Sequence, residues 1–228
     1  MNNTIKHIFF DLDHTLWDFD KNSSLAFQMI FKKFEINIEV HDFLKTYQPI
    51  NMNYWKLYRE EKVSKLELRR GRLTEAFSNL NIFFSLEIID AMSEDYIDFL
   101  PLNNHLIEGT KDLLEYLNPK YNLHIITNGF KEVQNKKLFN SGIQHYFDTV
   151  TDSEEAGVKK PNPVIFKQAI QKSGAQLNSS LMIGDNYEAD IVGAESVGLK
   201  TICFNYHKET LPLSNIQVSK LSQIKDYL

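Results

Sequence analysis

Two carboxylates stand two positions apart in Asp11-Leu12-Asp13-His14-Thr15, directly after the apolar run Ile8-Phe9-Phe10. The run reads as a buried strand, and side chains two apart in extended backbone share a face. Both carboxylates can then converge on one small volume, where like charges share a proton or hold a cation. Oxygen donors without clustered cysteine or histidine favour Mg²⁺. Taken alone, the stretch reads equally as a helix-capping Asp beside a surface Asp. Three further clusters bear on that choice: Thr127-Asn128-Gly129, Lys160 ahead of Pro161, and Asp185 with Asp190. Each has a plainer reading by itself. Thr127 suits a turn cap, Lys160 beside Lys159 a solvated charge, Asp185 a helix N-cap, and Asp190 an acid in a first helical turn. Their placement at strand ends, in this order, outweighs those readings. Together they supply what phosphoryl transfer requires: a nucleophile, charge neutralisation, hydroxyl or amide donors for phosphate oxygens, and a proton carrier. Pro161 biases the backbone of Lys160 to an extended form that can aim its side chain inward.

The elements that must position these groups alternate between strand and helix. Apolar strands are expected at Asn122 to Ile126, Phe147 to Val150, Leu181 to Gly184 and Thr201 to Phe204. Helices are expected at Gly109-Thr110 through Leu117, Lys131 to Asn140, from Asn162-Pro163 to Gly174, Tyr187 to Val197, and Leu221 to Leu228. Such alternation predicts a parallel sheet covered on both faces, with ligands bound beyond the carboxyl ends of its strands. Residues 17–101 differ. They carry helical periodicity and no convincing strand. Asn22 is expected to cap a first helix through Glu35, Pro49 to break or bend a second, and Ser64-Lys65-Leu66-Glu67 to form a capping box. Ser85 opens a stretch to Phe99 that Pro101 ends. The expected organisation is an α/β core of residues 1–16 and 102–228 with an all-helical insert, 17–101.

Composition excludes several classes. The chain has 228 residues, 43% of them hydrophobic and 24% charged, with a formal net charge of −5. A general nucleic-acid surface needs a basic excess that is absent here. No apolar run approaches the roughly 18 residues that span a bilayer. The one cysteine, Cys203, lies in an apolar strand and reads as packing rather than as a nucleophile. A cytoplasmic location is expected.

These motifs, taken together and in order, resemble the haloacid dehalogenase superfamily in its phosphatase form. Asp11-Leu12-Asp13-His14-Thr15 matches the first motif, Thr127 the second, Lys160 the third, and Asp185 with Asp190 the fourth. The superfamily's true dehalogenases lack a second carboxylate in the first motif, so Asp13 argues for phosphate chemistry. Within the superfamily the chain is similar to the house-cleaning pyrimidine 5′-nucleotidases. That likeness runs through Ile125-Ile126-Thr127-Asn128-Gly129-Phe130, Gly157-Val158-Lys159-Lys160-Pro161-Asn162-Pro163 and Leu66-Glu67-Leu68-Arg69-Arg70-Gly71-Arg72.

The resemblance implies a Rossmann-like core with a helical type I cap inserted after the first strand. It also implies an aspartyl-phosphate formed on Asp11, with Asp13 as general acid and base. Mg²⁺ would be held by Asp11, Asp185 and the main-chain carbonyl of Asp13. Thr127 and Asn128 would bind phosphate oxygens, Lys160 would balance charge at nucleophile and phosphate, and Asp190 would orient Asp185 or a bound water. The implied substrate is a small phosphomonoester, a pyrimidine nucleotide such as dUMP, dTMP, UMP or a non-standard analogue. Alternatives are a phosphatase for phosphoglycolate or a sugar phosphate and, more distantly, a phosphoaspartate receiver domain. A receiver normally carries its phosphorylated Asp after the third strand rather than the first. Trp17 and Phe19 flank the exit into the insert. Tyr54, Trp55 and Tyr58, with Arg69, Arg70 and Arg72, read either as a base-stacking and charged surface or, preferably, as insert core and solvated face.

Overall fold

A computed structural model describes residues 5–208, 210–212 and 215–228. Five strands run parallel in the order β3-β2-β1-β4-β5, and the two-residue β6 adds a parallel edge. They are β1 (His7–Phe10), β2 (Asn122–Thr127), β3 (Thr149–Asp152), β4 (Ser180–Gly184), β5 (Lys200–Phe204) and β6 (Gln217–Val218). β1 lies between β2 and β4, with Phe10 opposite both Ile125 and Ile183. The carboxyl ends of these three strands are therefore level, and the strand order changes direction beside β1. That point in a doubly wound sheet is where a crevice opens for a ligand.

Both faces of the sheet are buried. Phe9, Ile126 and Met182 pack with Ile165, Phe166, Ala169 and Ala194 from the helices. The near-continuous apolar strands follow from this, since a parallel sheet covered on both sides has no polar face to alternate with.

The chain divides into two compact units, Met1–Phe19 with Asn104–Leu228, and Asp20–Asn103. The breaks fall slightly beyond the expected 16/17 and 101/102. Trp17 bridges to Leu106, and the Asp18 N–H donates to the His105 carbonyl at 3.1 Å. Those main-chain links tie the connecting segments to the sheet unit.

The inserted unit holds α1 (Phe19–Lys33, whose first residue belongs to the other unit), α2 (Val40–Arg59), α3 (Lys65–Asn79) and α4 (Leu86–Phe99). Its core is aromatic: Phe27 lies 4.8 Å from Phe43, 4.7 Å from Tyr47 and 4.8 Å from Tyr96, ring to ring. One expectation fails here, and of the two readings at Pro49 the break is excluded. Asn22 is not a cap but a buried residue inside α1, which starts earlier with Asp20 in its first turn; an acid there suits the helix dipole. Pro49 does not break α2, which runs unbroken through it. An interior Pro costs about 3 kcal/mol, but Phe43, Tyr47 and Ile50 are buried from both sides of the proline, and their packing outweighs it. The capping box at Ser64 and Glu67 is present, with Ser64 Oγ accepting from Glu67 N–H and Glu67 accepting from Ser64 N–H. Ser85 precedes α4 without a side-chain cap bond.

In the sheet unit α5 (Thr110–Leu117) and α6 (Lys131–Asn140) stand where expected. β3 starts at Thr149 rather than Phe147, because the short 3₁₀ turn Gln144–Tyr146 occupies the approach. A one-turn helix, α7 (Ser153–Ala156), precedes α8 (Pro163–Ser173), which has Asn162 as side-chain cap and Pro at its first position. The expected helix from Tyr187 begins as a π-helix, Tyr187–Val192, and continues as α9 (Gly193–Glu195). The final expected helix is 3₁₀, Leu221–Tyr227, and β6 was too short to leave a periodic signal. Among the described residues no helix is long and apolar enough to cross a membrane.

A histidine pair sits away from the strands' carboxyl ends. His124 is buried, stacks on Phe9 at 4.7 Å, and bonds His7 Nδ1 at 3.0 Å and Thr149 Oγ1 at 2.9 Å. Burial pushes its pKa from 6.5 down to about 4, with His7 adding to the effect. In the unfolded chain the ring takes a proton near 6.5, so between these values the unfolded state binds more protons. Its contribution to stability is intact above pH 6.5 and is lost as the pH falls toward 4. Urea titrations at pH 7 and pH 4.5 should show a larger loss in the parent than in His124→Gln. Equal losses would mean that His124 does not titrate on unfolding.

Candidate active site

The strand ends bring Asp11, Lys160, Asp185 and Asp190 together. Asp11 continues β1, its N–H donating to the Ile183 carbonyl at 2.9 Å. Lys160, from the loop before α8, is buried, and its ammonium lies against three oxygens. These are Asp11 Oδ1 at 2.5 Å, the Ile126 carbonyl at 2.7 Å and, as an ion pair, Asp190 Oδ1 at 2.7 Å. Asn128 holds that loop in place: its Oδ1 accepts from the Lys160 N–H at 2.7 Å, and its Nδ2 donates to the Lys160 carbonyl at 3.0 Å. Both ends of the Asn128 amide are therefore engaged with the backbone of Lys160. The side chain of Asn128 therefore positions the lysine loop, a task that the expected phosphate contact did not include.

Asp185 follows β4. Its Oδ1 accepts from Thr15 Oγ1 at 3.0 Å, and its Oδ2 lies 3.8 Å from His207 Nε2. Asp190 reaches back to the end of the same strand, where its Oδ2 accepts from the Asn186 N–H at 3.0 Å. Gly184 makes this possible, because a Cβ there would lie 2.3 Å from Asp190 Oδ2 and 2.6 Å from Asp190 Cβ. The wider π turn carries Asp190 over that glycine.

Asp11, Asp185 and Asp190 each offer an oxygen within 4.8 Å of the others. Burial raises the Asp11 pKa from 3.8 to about 7 against the opposing pull of Lys160, with Asp190 and Asp13 adding to the rise. Burial likewise pushes Asp185 well above the ordinary carboxylate range, reinforced by Asp11 and Asp190. Lys160 moves upward. Burial is its largest single influence and works to lower it, but Asp11 and Asp190 together outweigh that. One ammonium does not offset three ionised carboxyl groups, which is why Asp11 and Asp185 hold protons so strongly, and this all-oxygen donor set fits a hard divalent cation. Asp190 Oδ2 is taken by the Asn186 N–H and its Oδ1 faces the Lys160 ammonium, while Asp11 and Asp185 stand at the ends of the central strands with it.

Asp13 is held by residues that sequence reasoning missed. Lys137 Nζ donates to its Oδ1 at 2.6 Å, and Gln134 Nε2 donates to its Oδ2 at 3.0 Å. Lys137 is buried, with its ammonium 4.3 Å from the Trp17 ring centre and 5.3 Å from that of Phe19. Burial lowers its pKa, and Asp13 works against that. Gln134 also donates to Thr127 Oγ1 at 2.7 Å, and the Gly129 N–H donates to the same oxygen at 3.1 Å. A hydroxyl that accepts twice keeps its own hydrogen to give to a phosphate oxygen. Gly129 clears the space, since a Cβ there would lie 2.4 Å from Gln134 Cδ. The signal in the sequence was a stripe. Val133, Gln134, Lys137 and Leu138 are the buried face of α6 at helical spacing, and its two polar members could have marked a face turned toward a polar site.

His14 adopts a left-handed backbone, φ 61°, and its ring packs 5.0 Å from Phe19, 5.2 Å from Tyr206 and 4.9 Å from His207. In the helical unit the arginines have internal tasks. Arg70 makes a two-pronged contact with Asp90, 2.6 Å on each side. Arg72, expected on a solvated face, is buried, donating to Asn51 Oδ1 at 2.9 Å with its guanidinium 4.9 Å from the Tyr96 ring centre. Tyr54 packs over Gly71, and Trp55 meets Tyr58 edge-on at 5.8 Å.

Comparison with known proteins agrees with this geometry. The family described as haloacid dehalogenase-like hydrolase matches residues 5–198. The pyrimidine 5′-nucleotidase YjjG of Escherichia coli (strain K12) is 34% identical over 206 residues, 90% of this chain and 88% of its own. The pyrimidine 5′-nucleotidase PynA of Streptococcus pneumoniae (strain ATCC BAA-255 / R6) is 33% identical, over 89% of this chain and 84% of its own. Among solved structures, the magnesium-bound HAD-hydrolase YfnB of Bacillus subtilis superposes with a TM-score of 0.90 at 27% identity. That match covers 99% of each chain.

Proposed function

We propose, from the premise that this chain belongs to the haloacid dehalogenase-like hydrolase family and is a phosphatase, that it hydrolyses pyrimidine nucleoside 5′-monophosphates through a phosphorylated Asp11. One observation carries the mechanism: the buried Asp11 carboxylate lies between Lys160 and Asp185 at the carboxyl end of the central strand, with Asp13 beside it. The substrate class rests on the likeness to the two pyrimidine 5′-nucleotidases over most of the chain.

An Asp11 oxygen attacks phosphorus, and the bond to the leaving alcohol breaks as Asp13 gives that oxygen a proton. Asp13 then takes a proton from the water that attacks the acyl phosphate, which returns Asp11 and releases inorganic phosphate. Splitting the reaction this way replaces one slow displacement by two easier ones. Thr127 donates its hydroxyl hydrogen to a phosphate oxygen. Lys160 keeps Asp11 oriented and offsets its charge, Asn128 fixes the lysine loop, and Asp190 braces that lysine from the opposite side. Asp11, Asp185 and the Asp13 carbonyl would hold Mg²⁺. When bound it supplies the positive charge that lets an anionic nucleophile approach an anionic ester.

Phosphate release should be followed from dUMP, dTMP, UMP, phosphoglycolate and hexose phosphates, with Mg²⁺ and with EDTA. The expected result is preference for the nucleotides and loss of turnover in EDTA. Faster release from phosphoglycolate or a hexose phosphate would overturn the substrate assignment. Full activity in EDTA would overturn the metal assignment.

A further inference from the structure

Lys137 is a costly residue where it stands. A buried ammonium loses its hydration, and the carboxylate paired with it among the described residues, Asp13, is itself 23% exposed. The surroundings would suit an apolar side chain: Trp17 is fully buried and Phe19 lies alongside. Packing alone therefore does not account for a lysine. Its geometry does. Lys137 takes Oδ1 of Asp13 while Gln134, one helical turn earlier on the same face of α6, takes Oδ2. Donors on both oxygens fix the plane of the carboxylate, which a single donor would leave free to swing. Gln134 makes a second bond to Thr127, so one side chain ties the orientation of Asp13 to the hydroxyl offered to phosphate. The rings of Trp17 and Phe19 in turn hold the ammonium.

We propose that Lys137, together with Gln134, is the positioning device for the proton carrier Asp13, aiming its carboxyl at the leaving oxygen. The inference rests on the acid–base role given to Asp13 above. A misplacement of about 1 Å at a reacting group can cost about 10²-fold. In kcat/KM, which runs only through departure of the alcohol, the loss should appear only where the leaving group needs a proton. An alkyl alcohol needs one, whereas p-nitrophenolate departs without.

The test compares kcat/KM for dUMP, or for whichever alkyl phosphate of the panel turns over fastest, with kcat/KM for p-nitrophenyl phosphate. The variants are Lys137→Met, Gly129→Ala and Asp13→Asn, each checked for folding by a thermal melt. Lys137→Gln serves as a second replacement should Met not fold. In Lys137→Met the alkyl ester should fall about 30- to 100-fold and the aryl ester by less than about threefold. Gly129→Ala, which pushes Gln134 aside, should show the same split in smaller degree. Asp13→Asn should show it in larger degree. If Asp13→Asn shows the split while a folded Lys137 variant loses both esters equally, or neither, the positioning role is wrong and the acid–base role stands. If Asp13→Asn shows no split, the acid–base reading fails and the positioning role falls with it.

Discussion

Asp11→Asn is expected to lower phosphate release by about 10⁴-fold or more while the protein still melts cooperatively at or above the parent temperature. An amide cannot form the acyl phosphate, so the two-step route closes. Stability should not suffer. The carboxyl that is lost is buried among like charges and raised to about 7, and Lys160 keeps its contacts to Asp190 and to the Ile126 carbonyl. Steady-state phosphate assays and a thermal melt on the same preparation decide the matter. Parent-like turnover from a folded variant would remove Asp11 as nucleophile.

Lys160→Met should damage both activity and the fold. The ammonium is the one cation in direct contact with Asp11 and Asp190 among the described residues. Removing one partner of a buried pair leaves an uncompensated charge, at a cost of about 3–5 kcal/mol. The pH dependence gives the loss a direction. A carboxyl whose folded pKa lies above its unfolded value binds more protons when folded, so stability falls as the pH rises from 3.8 through about 7. Without Lys160 that fall should continue beyond pH 7, because the ammonium's pull on Asp11 is gone while Asp190 and Asp13 still push its pKa up. Urea titrations across this range should show the gap between variant and parent widening with pH. A constant gap would mean that the lysine acts through packing rather than charge.

The reach of sequence reasoning differs between the two kinds of residue in the site. Asp11, Thr127, Lys160 and Asp185 each sit at a chain position with its own local signature: the end of an apolar run, or the residue ahead of a proline. Strands of a parallel sheet end level when their registers match, so a residue just past one strand meets those past its neighbours. That made the meeting of these residues legible from order alone. Asn128 shows the limit. Its place beside Thr127 implied a phosphate contact, but nothing local showed that the loop before α8 would present main-chain groups to both ends of its amide. Secondary structure erred in the same way. Pro49 carries a strong local preference that distributed aromatic packing overrides. The π turn at Tyr187–Val192 accommodates one carboxylate over one glycine, a constraint without a period.

By itself the chain determined the parallel α/β core, the helical insert and the carboxylates that gather at the strand ends, because strand periodicity and residue order are local properties that topology translates directly into position. Only the tertiary structure decided that Lys137 and Gln134 grip Asp13, that Asn128 serves Lys160, and that Arg72 lies buried. Those facts depend on which face of a helix meets which loop. A polar side chain reads the same in sequence whether water or a buried carboxylate receives it.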